Sequence, residues 1–117
     1  MSYAIAAPIR PGKTEAVRRL FAESLGPRKA EYEDLQRRSG ITEEAYWLQT
    51  DPAGDTLIVV SNRDQAAFME IMANPQTDFD RWFRERCQTI LGFDPSESGG
   101  ETPPTALLEW HATQGTR

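Results

Sequence analysis

Residues 43–62 read EEAYWLQTDPAGDTLIVVSN, a pattern that predicts a β-hairpin. Both arms are rich in the β-branched and aromatic residues that fit a pleated, partly buried surface. The run Asp51-Pro52-Ala53-Gly54-Asp55 favours a tight turn, because proline fixes φ and glycine accepts positive φ. In the second arm Leu57-Ile58-Val59-Val60 is apolar at successive positions, so side chains on both faces must leave water. We expect this arm at the centre of a sheet. The first arm should lie nearer an edge, since Gln49 and Thr50 dilute its pattern.

The register of this hairpin is left open by the sequence. A loop of four residues would place Trp47 on the same face as Ile58, whereas five would place it with Leu57 and Val59. A shift of one residue moves every side chain to the other face of a strand. The register therefore decides whether Trp47 faces the helices or the opposite side of the sheet.

The rest of the chain predicts two further strands and two broken helical regions. Residues 3–9 alternate large and small apolar side chains, as expected for a central strand. Apolar residues at helical spacing predict helices from residue 14 to 38, interrupted at Gly26-Pro27, and from residue 64 to 91, interrupted at Asn74-Pro75. The alternation of residues 105–112 predicts a last strand. One domain thus spans residues 1–112, with a mobile polar loop at 94–104 and a frayed tail at 113–117.

The element order is strand, helix, strand, strand, helix, strand, with both helices broken. This order predicts a ferredoxin-like α+β fold, an antiparallel βαββαβ sheet with helices on one face. Its usual strand arrangement places the first and third strands centrally. Because the helices cover one face only, the apolar residues 57–60 need a second cover, and a symmetric copy is the simplest one. We therefore predict a homodimer whose sheets meet face to face.

Composition narrows the classes of function. The chain has 117 residues, 38% of them hydrophobic and 26% charged, and a formal net charge of -5, which is typical of one soluble domain. Without a concentrated basic face we expect no nucleic-acid partner. The start of the chain lacks the features of a secretory signal and no apolar run approaches bilayer length, so we expect a cytoplasmic protein with no membrane partner. Cys87 is the only cysteine, which excludes an intrachain disulfide.

Five short motifs carry a resemblance to a known group of proteins: Gly26–Glu31 (GPRKAE), Trp47–Gln49 (WLQ), Pro52–Asp55 (PAGD), Phe79–Glu85 (FDRWFRE) and Gly92–Asp94 (GFD). With these motifs the chain resembles the dimeric α+β-barrel superfamily, which includes antibiotic-biosynthesis monooxygenase-like domains. More narrowly, it is similar to an uncharacterised bacterial family with the same WLQ, PxGD and FDxWFRE motifs. The resemblance implies the fold and the dimer. It implies no activity, because the broad relatives do different chemistry with different residues.

Four residues are candidates for ligand binding. Trp47 and Gln49 could supply an aromatic wall and an orienting amide, or they could serve cross-strand packing alone. Trp82 and Phe83 lie at helical spacing with other apolar residues, so a core stripe and a pocket wall are both open interpretations. Nearby, Asp80 and Arg84 stand four residues apart, which predicts a solvated ion pair.

Candidates for acid–base chemistry are few. His111 is the only histidine, and it shares a strand face with Glu109, which could orient its ring. The alternative is that His111 is a surface or interface residue without a catalytic role. Tyr46 is the other candidate for moving a proton. No histidine or cysteine pair has metal-ligand spacing and no glycine motif would cradle a phosphate, so we expect no metal and no cofactor.

Two hypotheses for function follow. In the first, the protein is a cofactor-independent, monooxygenase-like enzyme that acts on a small apolar or aromatic molecule, with His111 or Tyr46 moving a proton. In the second, it is a non-catalytic ligand carrier or a dimeric interaction module. An enclosed pocket with one of those side chains inside it would favour the enzyme, and a filled core would favour the module.

Overall fold

A computed structural model describes residues 3–92, 105–108, 110 and 112. Within them three strands and four helices follow one another: β1 (Tyr3–Pro8), α1 (Thr14–Ser24), α2 (Lys29–Arg38), β2 (Glu44–Asp51), β3 (Gly54–Ser61), α3 (Gln65–Ala73) and α4 (Asp78–Leu91). The predicted helix breaks are confirmed. At the first break a Cβ on Gly26 would lie 2.7 Å from the carbonyl oxygen of Ala22, so the chain leaves α1 by a route that only glycine allows.

The three strands form one antiparallel sheet in the order β1-β3-β2. The position of β3 at the centre and of β2 at an edge is as the sequence predicted. Asp51 pairs with Gly54, so Pro52 and Ala53 alone connect the two arms of the hairpin. Trp47 pairs with Ile58 and therefore shares its face of the sheet.

The predicted fourth strand is not found in the part of residues 105–112 that the structure describes. Those residues belong to no strand, and Leu107, Leu108 and Trp110 are all exposed. As a result β1, predicted to be central, lies at an edge of the three-stranded sheet. Alternation indicates only that one face of a segment should leave water, and a strand also needs a neighbour for its backbone hydrogen bonds. The predicted loop 94–104, the tail 113–117 and His111 lie outside the described residues.

All four helices contribute to one core on a single face of the sheet. Side chains of β3 that point to this face, Leu57 and Val59, pack with residues from every helix: Val17, Leu20, Leu35, Phe68, Met72, Phe79, Phe83 and Ile90. The opposite face carries Ala4 and Ala6 of β1, Trp47 of β2 and Val60 of β3, all exposed. The two faces of β3 are thus both apolar, but only one is covered by the residues that the structure describes.

A buried ion pair fixes α2 against α4. The carboxylate of Asp80 is fully buried and accepts two hydrogen bonds from the Arg38 guanidinium, at 2.9 Å from Nη1 and 2.8 Å from Nη2. The backbone N–H of Gln76 donates a third, at 3.1 Å. The prediction of a solvated pair was wrong for Asp80, because its side chain points inward between two helices rather than along its own helix.

Candidate functional site

A cleft of about 340 Å³ opens to solvent between the sheet and helices α1 and α2. Its lining comes from α1, α2, the connection that follows α2, and the start of β2: Phe21, Leu25, Tyr32, Gln36, Ile41, Thr42, Glu43, Glu44 and Tyr46. Ligand sites are typically concave and mostly apolar with a few polar groups, and this lining has that composition. We therefore treat the cleft as the candidate site.

Aromatic rings make up much of the wall. The rings of Phe21 and Tyr46 lie with their centroids 4.4 Å apart, and Tyr32 of α2 also lines the cleft. Leu25, at the end of α1, is 61% exposed despite its apolar side chain. Tyr46 lies here because the hairpin register turns it toward the helices, in phase with Leu48 and opposite Val59 of β3.

A buried carboxylate, that of Glu44, also lines the cleft. Its side chain is only 4% exposed. One oxygen, Oε1, accepts hydrogen bonds from the Tyr32 hydroxyl and from Gln36 Nε2, each at 2.9 Å, and Oε2 accepts one from Arg63 Nη2 at 3.1 Å. A charge taken out of water needs such partners, since its desolvation otherwise costs several kcal/mol. The charge of Glu44 is thus neutralised inside the protein by Arg63.

Arg63 is itself held by its neighbours. Its side chain is 7% exposed, and its guanidinium lies 4.2 Å from the ring centroid of Phe68 and 4.9 Å from that of Tyr3. A guanidinium over an aromatic face is attracted by the negative π surface. Because α3 and β1 both contribute to this arrangement, Glu44 is anchored to elements that supply no residue to the cleft lining.

The tyrosines of the cleft remain protonated near neutral pH. Burial raises the pKa of Tyr46 well above its usual value. The pKa of Tyr32 is raised by burial first, and further by the negative charge of Glu44 and the hydrogen bond to it. Burial likewise raises the pKa of the Cys87 thiol, to about 12, so this side chain is a poor nucleophile. Both tyrosines therefore keep their hydroxyl protons, and Tyr32 donates its proton in the hydrogen bond to Glu44.

One side of the cleft is a short loop that Asn62 holds in place. Asn62 Oδ1 accepts hydrogen bonds from the backbone N–H groups of Thr42 and Glu43, at 3.0 and 3.1 Å. Its Nδ2 donates to Thr42 Oγ1 at 2.6 Å, and its own backbone N–H donates to the carbonyl of Glu43 at 3.1 Å. Four hydrogen bonds from one residue fix the backbone that carries Glu43.

The residues predicted from sequence to bind a ligand are not brought together. Trp47 and Gln49 are exposed on the face of the sheet that points away from the helices. Phe83 is buried in the core, and Trp82 packs on Phe79 with its ring under the Arg28 guanidinium, 4.7 Å away. Of the two candidates for moving a proton, Tyr46 lines the cleft and His111 lies outside the described residues.

Four residues at or behind the cleft were not predicted as site residues from the sequence: Tyr32, Gln36, Glu44 and Arg63. A signal for Glu44 was present, because it has the same strand phase as Tyr46 and Leu48, and a carboxylate in an apolar phase needs a buried partner. No pattern in the sequence identified Arg63 as that partner, since it stands 19 residues further along the chain.

Comparisons of this chain with protein-family models, with curated proteins and with solved structures found no match. Within the residues that the structure describes, no group of three or more His, Cys, Asp or Glu side chains could hold a metal ion. Among the helices described, none has the length and apolar character needed to cross a membrane.

Proposed function

We propose that this protein binds a small molecule with an apolar or aromatic body in the cleft beside Glu44. The observation that carries the proposal is a concave site of about 340 Å³ whose walls are aromatic and whose buried carboxylate is already fixed by three hydrogen bonds. Such a site needs little rearrangement on binding, and pre-organisation lowers the cost of association. Phe21, Tyr32 and Tyr46 would contact the ligand.

The contacts favour binding over turnover. Tyr32 and Tyr46 stay protonated at neutral pH, and three donors already occupy the Glu44 carboxylate. The Tyr46 hydroxyl can orient a molecule by a hydrogen bond without taking its proton, which is the task of a ligand carrier. The monooxygenase-like enzyme, our alternative, would require a proton acceptor placed against the same aromatic wall.

Replacing Leu25 with glutamate should weaken the binding of an apolar probe such as indole at least roughly tenfold, because a charge would then border the apolar wall. Leu25 is 61% exposed, so the change should leave the fold intact. Isothermal titration with indole measures the effect. The matched control is Trp47→Ala, which removes an equally exposed side chain from the opposite face of the sheet and should leave indole binding unchanged. If Trp47→Ala lost indole binding and Leu25→Glu kept it, the binding site would lie on that opposite face.

We further propose that the face of the sheet opposite the described helices joins two copies into a homodimer, with each protomer a ferredoxin-like half of an α+β barrel. Away from the hairpin turn the face carries Ala4, Ala6, Ala45, Trp47, Gln49, Thr56, Ile58 and Val60, none of them ionisable, in a chain of which 26% is charged. Asp51, the last residue of β2, shares this face at the turn. A two-fold interface sets a patch against itself, so a neutral patch avoids like-charge repulsion. The alanines would let the second sheet approach closely, and Trp47 would be the main anchor.

The variant Trp47→Asp should raise the dimer dissociation constant at least roughly tenfold, because it places two carboxylates in the proposed interface. Sedimentation equilibrium at micromolar concentration measures it. Leu25→Asp is the control, since it introduces the same charge at an equally exposed apolar position away from this face. A monomeric wild type, or equal effects of the two variants, would contradict the proposed interface.

A further inference from the structure

We propose that the open edge of β1 receives residues 105–112 of a second copy, so that the two protomers of the homodimer exchange a strand. This inference rests on the homodimer proposed above, because it names a contact between the same two copies. It goes beyond the packing of two sheets by assigning backbone pairing at the edge of each sheet.

The backbone of β1 has one side without a partner among the described residues. β1 pairs with β3 alone and forms an edge of the sheet. The N–H of Ile9 donates to the carbonyl of Asp55 at 3.0 Å, so Ile9 is bonded toward β3. Successive residues of an antiparallel pair alternate in this respect, and the N–H groups of Ala4 and Ala6 therefore point to the open side. Pro8 has the same phase, so its missing N–H removes no bond to β3.

Little in the sequence of β1 protects this edge. Natural sheets blunt their edges with charged side chains, prolines, bulges or a covering segment. The strand Tyr3–Pro8 has a proline only at its end, contains no charge and pairs with β3 without a bulge. The side chains of Ala4 and Ala6 are exposed and small. The open edge of β1 is therefore suited to one more strand.

The described part of residues 105–112 supplies an apolar segment without cover. Leu107, Leu108 and Trp110 are 95%, 81% and 76% exposed. Large apolar side chains that are exposed together mark contact surfaces. The alternation of the segment is typical of a strand, although its described residues join none within this chain. The segment and the open edge of β1 thus each lack a partner of the kind that the other offers.

The length of the connection before this segment indicates which copy supplies it. Helix α4 ends beside the end of β1, because the N–H of Arg10 donates to the carbonyl of Ile90 at 2.9 Å. A segment of the same chain could return along β1 after a connection of the usual length, about 2–6 residues. Twelve residues, 93–104, stand there instead. An extended chain of that length reaches about 40 Å, which is enough to cross to a second copy.

The proposed dimer interface is continuous with the open edge. Ala4 and Ala6 belong to the face that we assign to the interface, and their strand is the one with the open edge. A second copy on that face therefore lies next to the edge. Under two-fold symmetry each edge receives one segment, so both copies cover their exposed apolar residues at once.

The variant Ala6→Pro tests the edge. It should raise the dimer dissociation constant at least roughly tenfold, because it removes one N–H from the open side of β1. The ladder to β3 should persist, since this N–H points away from it. Sedimentation equilibrium measures the constant. The matched control is Ala6→Val, which adds a similar volume but keeps the N–H, and it should change the constant less than roughly threefold. Equal effects of the two variants would assign the loss to side-chain volume and overturn the inference.

The variant Leu108→Asp tests the segment without touching the sheet. Leu108 is 81% exposed, so each protomer should keep its fold. We expect the dimer dissociation constant to rise at least roughly tenfold, because the exchanged segment would have to bury a charge. Leu25→Asp is again the control and should leave the constant unchanged. If Leu108→Asp dimerises like the wild type, the inference is overturned and the homodimer stands. A monomeric wild type would overturn both.

Cross-linking shows which copy supplies the segment. The double variant Ala6→Cys with Leu108→Cys places one thiol on β1 and one in the segment, and a short bismaleimide joins thiols that lie close together. We expect a covalent dimer on a denaturing gel, whose linked peptides in mass spectrometry join positions 6 and 108. The wild type is the control and should stay unlinked, because burial raises the pKa of the Cys87 thiol to about 12 and slows its reaction. A bridge within one chain, or no bridge between these positions, would overturn the inference.

Discussion

Replacing Asp80 with alanine should lower the free energy of unfolding by about 3 kcal/mol, because it removes the buried partner that joins α2 to α4. The carboxylate of Asp80 is fully buried and receives two hydrogen bonds from Arg38 and one from the Gln76 N–H. Breaking a buried pair typically costs about 3–5 kcal/mol. We expect the lower end of that range, since the Arg38 side chain is 25% exposed and can turn toward water. Urea denaturation followed by circular dichroism measures the loss.

The matched control is Asp78→Ala, two residues earlier on the same helix. The Asp78 side chain is 89% exposed and pairs with Arg81 one turn along the surface. Exposed pairs and first-turn carboxylates each contribute less than about 1 kcal/mol, so this variant should lose little stability. Equal losses at positions 78 and 80 would show that the pair with Arg38 does not hold the helices together.

Acid should weaken the same interaction. Burial acts to raise the pKa of Asp80, but the hydrogen bonds from Arg38 and from the Gln76 N–H outweigh it and leave this pKa below its usual value. A lowered pKa in the folded state stabilises the protein above the unfolded pKa of about 4, and this contribution is lost as the pH falls toward the folded value. The difference in unfolding free energy between wild type and Asp80→Ala should therefore shrink below about pH 4. A constant difference from pH 7 to pH 2 would attribute the loss to packing alone.

Glu44→Ala should lower the free energy of unfolding by about 3–5 kcal/mol, the largest single effect that we expect. The change leaves Arg63 charged and only 7% exposed, and it removes the acceptor of Tyr32 and Gln36. A buried cation without a partner is costly, and here the aromatic rings on Arg63 hinder its escape to water. Glu43→Ala, the change at the exposed neighbouring residue, is the control and should cost less than about 1 kcal/mol.

A double-mutant cycle identifies the pair as the cause. Arg63→Met with Glu44→Leu removes both charges and restores apolar volume, a replacement that buried ion pairs often tolerate. We expect the double variant to be more stable than the sum of the two single losses by at least about 1 kcal/mol. Additive losses would mean that the two side chains stabilise the protein independently, and that Glu44 is not fixed in the cleft by Arg63.

The candidate site shows which structural features a local sequence pattern can predict. The pattern of residues 43–62 predicted the hairpin, its turn and the phase of Tyr46 relative to Leu48. The strand that forms one wall of the cleft could therefore be predicted. The side of the sheet on which Trp47 lies could not, because it depends on one residue of register in a turn of two residues. The best sequence candidate for a ligand wall thus lies on the opposite face from the cleft.

Residue types that act on their immediate neighbours placed the elements of this protein. Gly26-Pro27 and Asn74-Pro75 separate the helices, Thr77 Oγ1 accepts the backbone N–H of Asp80 at the start of α4, and Gly92 ends that helix with φ at 81°. These effects are local because they restrict φ and ψ or satisfy a nearby backbone group. They follow from a few adjacent residues, and the sequence therefore predicted the three strands and four helices.

Long-range packing assigned the partners. Arg38 and Asp80 are 42 residues apart, and Glu44 and Arg63 are 19 apart, yet each pair meets where two elements pack. The same limit applies to residues 105–112, whose alternation predicted a strand although the described residues there join no sheet. Alternation and charge indicate that a side chain needs burial or a partner. The group that supplies this burial or partner depends on how distant segments approach one another in three dimensions. Hydrogen bonds act over about 3 Å, whatever the separation of their partners in the sequence.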